Sequence, residues 1–260
     1  MRGRLAVVAV AAWVAGSLSW CAEPKQYEAK RTASAPVIDG GLDDAVWRAA
    51  PWTDYFIDIE GEAKPRPRFR TRAKMAWDEK YFYIAAEMEE PDLWAVYRDH
   101  DSVIFHQHDF EAFFDPDGDT LHYFEFEMNV LNTTWDLYLP KPYRFGGKAD
   151  NGWEMPGVKT AVRAEGTIND PSDRDKGWTV EMAFPWTAFN RGPRPAAPPA
   201  PGESWRVNFS RVEWQLRVKD GRYEKAPGTK EDNWVWSPQG VINMHVPEMW
   251  GVVRFVEGRN

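Results

Sequence analysis

Phe69-Arg-Thr-Arg-Ala-Lys-Met-Ala-Trp77, followed by Asp78-Glu-Lys80 and then Tyr81-Phe-Tyr-Ile-Ala-Ala-Glu-Met88, is the stretch that decides the fold. Phe69, Thr71, Ala73, Met75 and Trp77 alternate with Arg68, Arg70, Arg72 and Lys74. That period of two reads as a half-buried strand with a solvated basic face. Asp78-Glu79-Lys80 turns the chain, and Tyr81 to Met88 returns as a second strand. Similar runs follow at Asp109–Phe114, Tyr123–Val130, Trp178–Phe184, Trp205–Trp214 and Trp250–Val256, separated by Gly, Pro and Asp clusters. Many short strands with turn signals between them predict an all-β, antiparallel two-sheet sandwich. Helix is scarce: Leu42 to Ala50 predicts one short helix ended by Pro51, and Pro185 to Phe189 one further turn.

The N-terminus reads as an export signal. Arg2 and Arg4 precede the apolar run Leu5–Ala15, and Gly16, Ser17 and Ser19 supply small residues for cleavage. Residues 1–21 are therefore expected as signal peptide, 22–33 as a leader and 34–258 as one domain. The Pro-rich stretch 191–202 is expected as a surface loop within it. Export implies a periplasmic or extracellular location. A lipidated Cys21 is the weaker reading, because Trp20 stands where a small residue is wanted. Cys21 is the only cysteine, which leaves no disulfide or thiolate metal site after cleavage. The formal charge is −8, and losing Arg2 and Arg4 takes it to −10. That acidity disfavours nucleic acid and anionic membranes as partners, and no other apolar stretch is long enough to span a bilayer. Fifteen Trp in 260 residues either fill a β core or stack on ligands.

Asp109 to Asn129 is the most informative polar segment. Pairing its two runs by their apolar faces puts Asp109, Glu111, Glu125, Glu127 and Asn129 on one surface. Opposed like charges cost about 0.2–1 kcal/mol per pair, so solvent, a basic neighbour such as Arg211, a cation or a hydrogen-bonding ligand has to offset them. The plain alternative is an acidic face screened by water; the sharper one is the floor of a polyol-binding cleft. Asp115-Pro-Asp117-Gly-Asp119 has carboxylates at alternate positions, but its glycine falls at position four and Phe126 stands where a calcium loop needs a bidentate Glu. A hairpin turn around Asp117-Gly118 is the better reading.

Seven segments in order resemble family 9 carbohydrate-binding modules: Pro36–Trp47, Met75–Ile84, Asp109–Gly118, Gly177–Trp186, Trp205–Arg211, Asn233–Pro238 and His245–Gly251. The resemblance implies an antiparallel β-sandwich that recognises a sugar or polysaccharide in polysaccharide degradation, standing beside a glycoside hydrolase and carrying no catalytic residue itself. It also implies structural calcium, without transferring ligands for it. By motif, Trp236 matches one ring of the family's sugar clasp; Phe105 stands where the second, a Trp in the family, is expected. Glu111 and Asn129 match polar ligand contacts, and Glu127 occupies a position where the family has a basic residue. Trp236 also reads as a core residue, and Arg211 and Asn208 either line the cleft or satisfy buried strand ends. Two rival functions remain. A glycosidase would use a carboxyl pair such as Glu111 and Glu127. A haem b electron-transfer protein would draw on Met244, His245 and Met249. His106 and His108 on one strand face make zinc a minor option.

Overall fold

The computed structural model describes residues 23–193 and 197–258. The signal-peptide and Cys21 expectations lie outside the described residues. The deciding stretch folds as a hairpin of β3 (Thr71–Trp77) and β4 (Tyr81–Glu89), with Thr71 opposite Met88 and Trp77 opposite Phe82. Its turn is held by Asp78, whose Oδ1 accepts the backbone N–H groups of Lys80 and Tyr81 at 2.7 and 2.8 Å. That is the local bonding that makes Asp a turn residue.

The remaining elements are β1 (Gln26–Arg31), α1 (Ala45–Ala49), β2 (Ile57–Asp58), β5 (Phe110–Asp115), β6 (Tyr123–Met128), β7 (Thr134–Leu139), β8 (Lys159–Glu165), β9 (Gly177–Pro185), β10 (Ser204–Glu213), β11 (Leu216–Lys219), β12 (Arg222–Lys225), β13 (Asp232–Val235) and β14 (Gly251–Val256). Ten strands form one hydrogen-bonded path, β7-β6-β5-β10-β14-β1-β3-β4-β9-β8, which curls over to give two packed layers. Strand β13 adds to β10, β2 adds to β13, and β11–β12 is a separate hairpin. Rings from the two halves meet in the middle: Phe82 and Phe184 approach Phe114 at 6.1 and 4.8 Å between centroids, and Phe126 meets Phe184 at 5.2 Å. The expected all-β sandwich is observed.

Two sequence expectations are corrected here. Within the stretch expected as a leader, Gln26–Arg31 form β1, which lies inside the sheet and pairs parallel with both β14 and β3. Its Tyr27 and Ala29 are core residues, and Tyr27 Oη exchanges hydrogen bonds with the Met75 backbone. A six-residue strand with only two inward side chains gives too short an alternation to stand out. The basic face of β3 is also only partly solvated. Lys74 is buried, donates to the Trp47 carbonyl and sits 4.3 Å from the Trp52 ring centroid. Arg72 lies over the same ring at 4.2 Å and pairs with Glu87. Helix α1 packs Val46 and Trp47 onto this side of the sheet, so the long cationic stems are covered, with Arg72 paired to Glu87 and Lys74 bonded to a carbonyl.

Candidate functional site

The acidic hairpin pairs in the register its apolar faces predict. Glu111 stands directly opposite Glu127 and Phe113 opposite Glu125, while Ala112 and Phe126 face the core. What was not legible is burial. Asp109, Glu111, Glu125 and Glu127 are all nearly inaccessible, so the water-screened surface reading does not hold. The short helical turn Ile104–His106 and the segment 242–245 cover this face and leave a cleft of about 360 Å³. Glu111, Glu125 and Glu127 form its floor. Phe105, Trp135, Tyr143 and His245 line its sides. Phe105 is 37% exposed and stacks on Trp135, centroids 6.3 Å apart and planes 21° apart.

The structure therefore brings Phe105, Glu111 and Glu127 together and leaves Asn129 and Trp236 out. Asn129 is fully buried in the turn between β6 and β7. Its Oδ1 accepts from Leu131 and Thr133 N–H, and its Nδ2 donates to the Tyr97 carbonyl. With its amide used this way, it has nothing to offer a ligand. Trp236 is 1% exposed in the main core, against Tyr27 and Phe209. Sequence reasoning missed Trp135 and Tyr143. Trp135 follows Thr134 at the start of a strand no periodicity announced, and the only available signal was its place two residues from Leu137 on one strand face.

Arg211 does not offset the acidic floor. Neighbouring strand residues point to opposite faces, so Ser210 stands opposite Glu111 while Arg211 turns inward to Glu90 and Glu213. Asn208 satisfies Ser237 and Phe209 backbone groups. Neither lines the cleft. His106 sits in the helical turn, not on a strand beside His108; His108 is buried against Trp94 and Glu213. His245 meets the Tyr123 hydroxyl through Nδ1 and packs on Tyr143, and Met244 is a core residue. In the Asp115–Asp119 turn, Asp115 Oδ1 and Oδ2 each accept a backbone N–H, from Gly118 and Thr120. Gly118 takes the left-handed φ of +71°. Both Asp115 oxygens are tied into the turn, and carboxylate oxygens of Asp115, Asp117 and Asp119 lie within 4.8 Å of one another.

Larger concavities exist, of about 400 Å³ beside Arg70 and Arg72 and about 700 Å³ beside Arg31 and Lys80. The first is lined by ion pairs such as Arg70–Glu89 and Arg72–Glu87 that already satisfy one another. In the acidic cleft, the carboxylates lack such partners.

Burial governs ionisation here. It pushes Glu111 up to about 7 and holds Asp109, Glu125 and Glu127 well above the usual carboxylate range, with neighbouring carboxylates adding to it for those three. Elsewhere burial raises Glu90 and Asp115 to about 7 and Asp136 to about 6, and lowers His108 and His245 to about 4. A carboxyl raised on folding contributes stability that is complete below its unfolded pKa near 4 and is lost as pH climbs through its folded value. A lowered imidazole does the reverse, losing stability as pH falls below about 6.5. The raised carboxyls named here outnumber the two imidazoles. The thermal midpoint in chelator-containing buffer is therefore expected to fall by several degrees between pH 5 and pH 8. Calorimetric scans showing a flat or rising midpoint over that window would contradict it.

Among the described residues, no helix is long and apolar enough to cross a membrane. A 158-residue stretch covering 59% of the chain is 28% identical to the exoglucanase XynX of Acetivibrio thermocellus and 27% identical to the endo-1,4-beta-xylanase A of Thermoanaerobacterium saccharolyticum. It spans only 12% and 11% of those proteins. The fold matches a family 9 carbohydrate-binding module from Caldicellulosiruptor kristjanssonii, solved in complex with cellotriose, with a TM-score of 0.58 and 16% identity over 91% of this chain and 96% of that one. The model of the family described as carbohydrate family 9 binding domain-like matches residues 38–257, and on that match the chain belongs to this family.

Proposed function

We propose that this protein is exported and binds a sugar or polysaccharide in the cleft floored by Glu111, Glu125 and Glu127, without catalysing a reaction, in support of glycan-degrading enzymes. The observation that carries the reading is the meeting of the exposed Phe105 ring, stacked on a buried Trp135, with a row of carboxylates in one hollow. Sugars present apolar C–H faces to rings and hydroxyls to carboxylate acceptors, so the two kinds of group together match a pyranose. Membership of a binding-domain family supports binding over catalysis, as do relatives named as an exoglucanase and an endo-1,4-beta-xylanase, of which this chain covers a small part.

Phe105 replaces the clasp ring expected from the resemblance, and Trp135 takes the role assigned to Trp236. Phe105→Ala is expected to weaken binding of cello- or xylo-oligosaccharides on the order of tenfold, or ~1.4 kcal/mol. Because Phe105 is 37% exposed, its unfolding midpoint should move little. Titration calorimetry of both variants against a panel of mono- and oligosaccharides checks this. Wild-type protein that binds none of them, or Phe105→Ala protein that binds them unchanged, would remove the cleft from consideration.

A further inference from the structure

We propose that the acidic floor of the cleft is a site for a hard divalent cation of the calcium type, held by Asp109, Glu111 and Glu127 with open coordination positions facing the ligand. The inference rests on the same cleft as the carbohydrate reading and gives that reading a mechanism. Each of the three residues offers a carboxylate oxygen, and these oxygens all lie within 4.8 Å of one another. Two oxygens bound to one calcium at 2.3–2.6 Å lie at most about 5 Å apart, so the spacing suits a shared ion.

The second observation is the lack of donors. Asp109 Oδ2, Glu125 Oε2 and Glu127 Oε2 are buried and accept no hydrogen bond from the protein. Buried carboxylate oxygens left this way are costly, and native interiors satisfy them with a proton, a water, a ligand or an ion. No Lys or Arg is among the residues lining the cleft, which adds Glu231 to its negative charge. The nearby Arg144 is already spent on Glu248 and the His245 carbonyl. An oxygen-only donor set selects a hard cation over zinc or copper.

Calcium takes six to eight oxygens. Three carboxylates leave several positions for water, and two of them, Glu111 and Glu127, line the cleft. Vicinal sugar hydroxyls are neutral oxygen donors that can replace two of those waters. This ion faces the ligand, in contrast to a structural calcium, and would also account for Glu127 standing where the family resemblance expects a basic residue.

The test uses the full chain, stripped with a chelator and returned to metal-free buffer at pH 7.5. Terbium is the probe, with sensitised emission read through tryptophan excitation and competed with calcium, alongside calcium calorimetry. Uptake at the cleft is expected, with affinity reduced at least tenfold in Glu127→Gln and in Asp109→Asn, and unchanged in the exposed turn variant Asp220→Asn. Circular dichroism of each variant separates lost binding from lost fold. Glu127→Gln keeps the shape of the side chain and removes a repelling charge, so it is expected to fold.

The same samples are then titrated with cellotriose, with and without calcium. Sugar binding that requires calcium, and disappears in Glu127→Gln, supports the inference. No metal uptake, or uptake unaffected by Glu127→Gln and Asp109→Asn, overturns it. Cellotriose bound equally well in chelator also overturns the bridging ion while leaving the carbohydrate reading standing. Metal bound in the cleft with no sugar on the panel bound supports the ion site and defeats the carbohydrate reading instead.

Discussion

Replacing Trp236 with alanine is expected to destabilise the fold by about 3–5 kcal/mol, the cost of deleting a large ring from a filled core. Trp236 is 1% exposed, meets Tyr27 edge-on at 6.4 Å and lies 5.9 Å from Phe209. Its six-membered ring also occupies the space a methyl group on Gly251 would need, so the glycine exists at that point to let the ring in. Neighbours from β1, β10 and β14 cannot all collapse into the void, because each is tied into the sheet on both sides. At about 2–4 °C per kcal/mol for a domain of this size, the midpoint should drop by roughly 10 °C or more. Urea or thermal unfolding checks it. A variant that kept its midpoint and lost only sugar binding would put the ring back in the cleft and contradict the packing described here.

The second large effect lies at Arg211. Its guanidinium is 1% exposed, with Nη2 at 2.7 Å from Glu90 and 2.9 Å from Glu213, and Nη1 at 3.1 Å from the Thr71 hydroxyl and 2.8 Å from the Glu89 carbonyl. It also lies over the Trp234 and Phe69 rings at 5.3 and 5.8 Å. Arg211→Ala strands two buried carboxylates and is expected to cost about 3–5 kcal/mol at pH 8. His108, 3.3 Å from Glu213, cannot take over, because burial lowers its pKa to about 4 and keeps it neutral. Arg68 reaches Glu213 only at 3.8 Å from a partly exposed position.

The cost should shrink near pH 5. Desolvation, with Glu213 as a like-charged neighbour, already raises Glu90 to about 7, so a proton can replace the lost cation there. Adding Glu90→Gln and Glu213→Gln to Arg211→Met should recover much of the loss, since neutral groups of similar shape need no counter-ion. Denaturant titrations of the single and triple variants at both pH values measure this. An Arg211→Ala protein equal in stability to wild type at pH 8 would mean that water reaches the cluster.

The strands β3, β4, β5, β6, β9, β10 and β14 were legible from alternation alone, because each is long enough for apolar and polar residues to declare two faces. The acidic row was legible for the same reason: matching Phe110, Ala112 and Phe114 to Met128, Phe126 and Phe124 forces Glu111 onto Glu127. Alternation states which residues share a face. It does not state what covers that face.

Only the tertiary structure decided that the acidic face is roofed by Phe105 and the segment ending at His245, and that Trp135 and Tyr143 supply its rings. It also decided that Trp236 belongs to the core and that β1 joins the sheet in parallel. The reason is the range of the interactions. A strand's pleat is set by adjacent residues, whereas burial depends on surfaces that meet only after segments more than a hundred positions apart, such as Tyr123 and His245, have packed together.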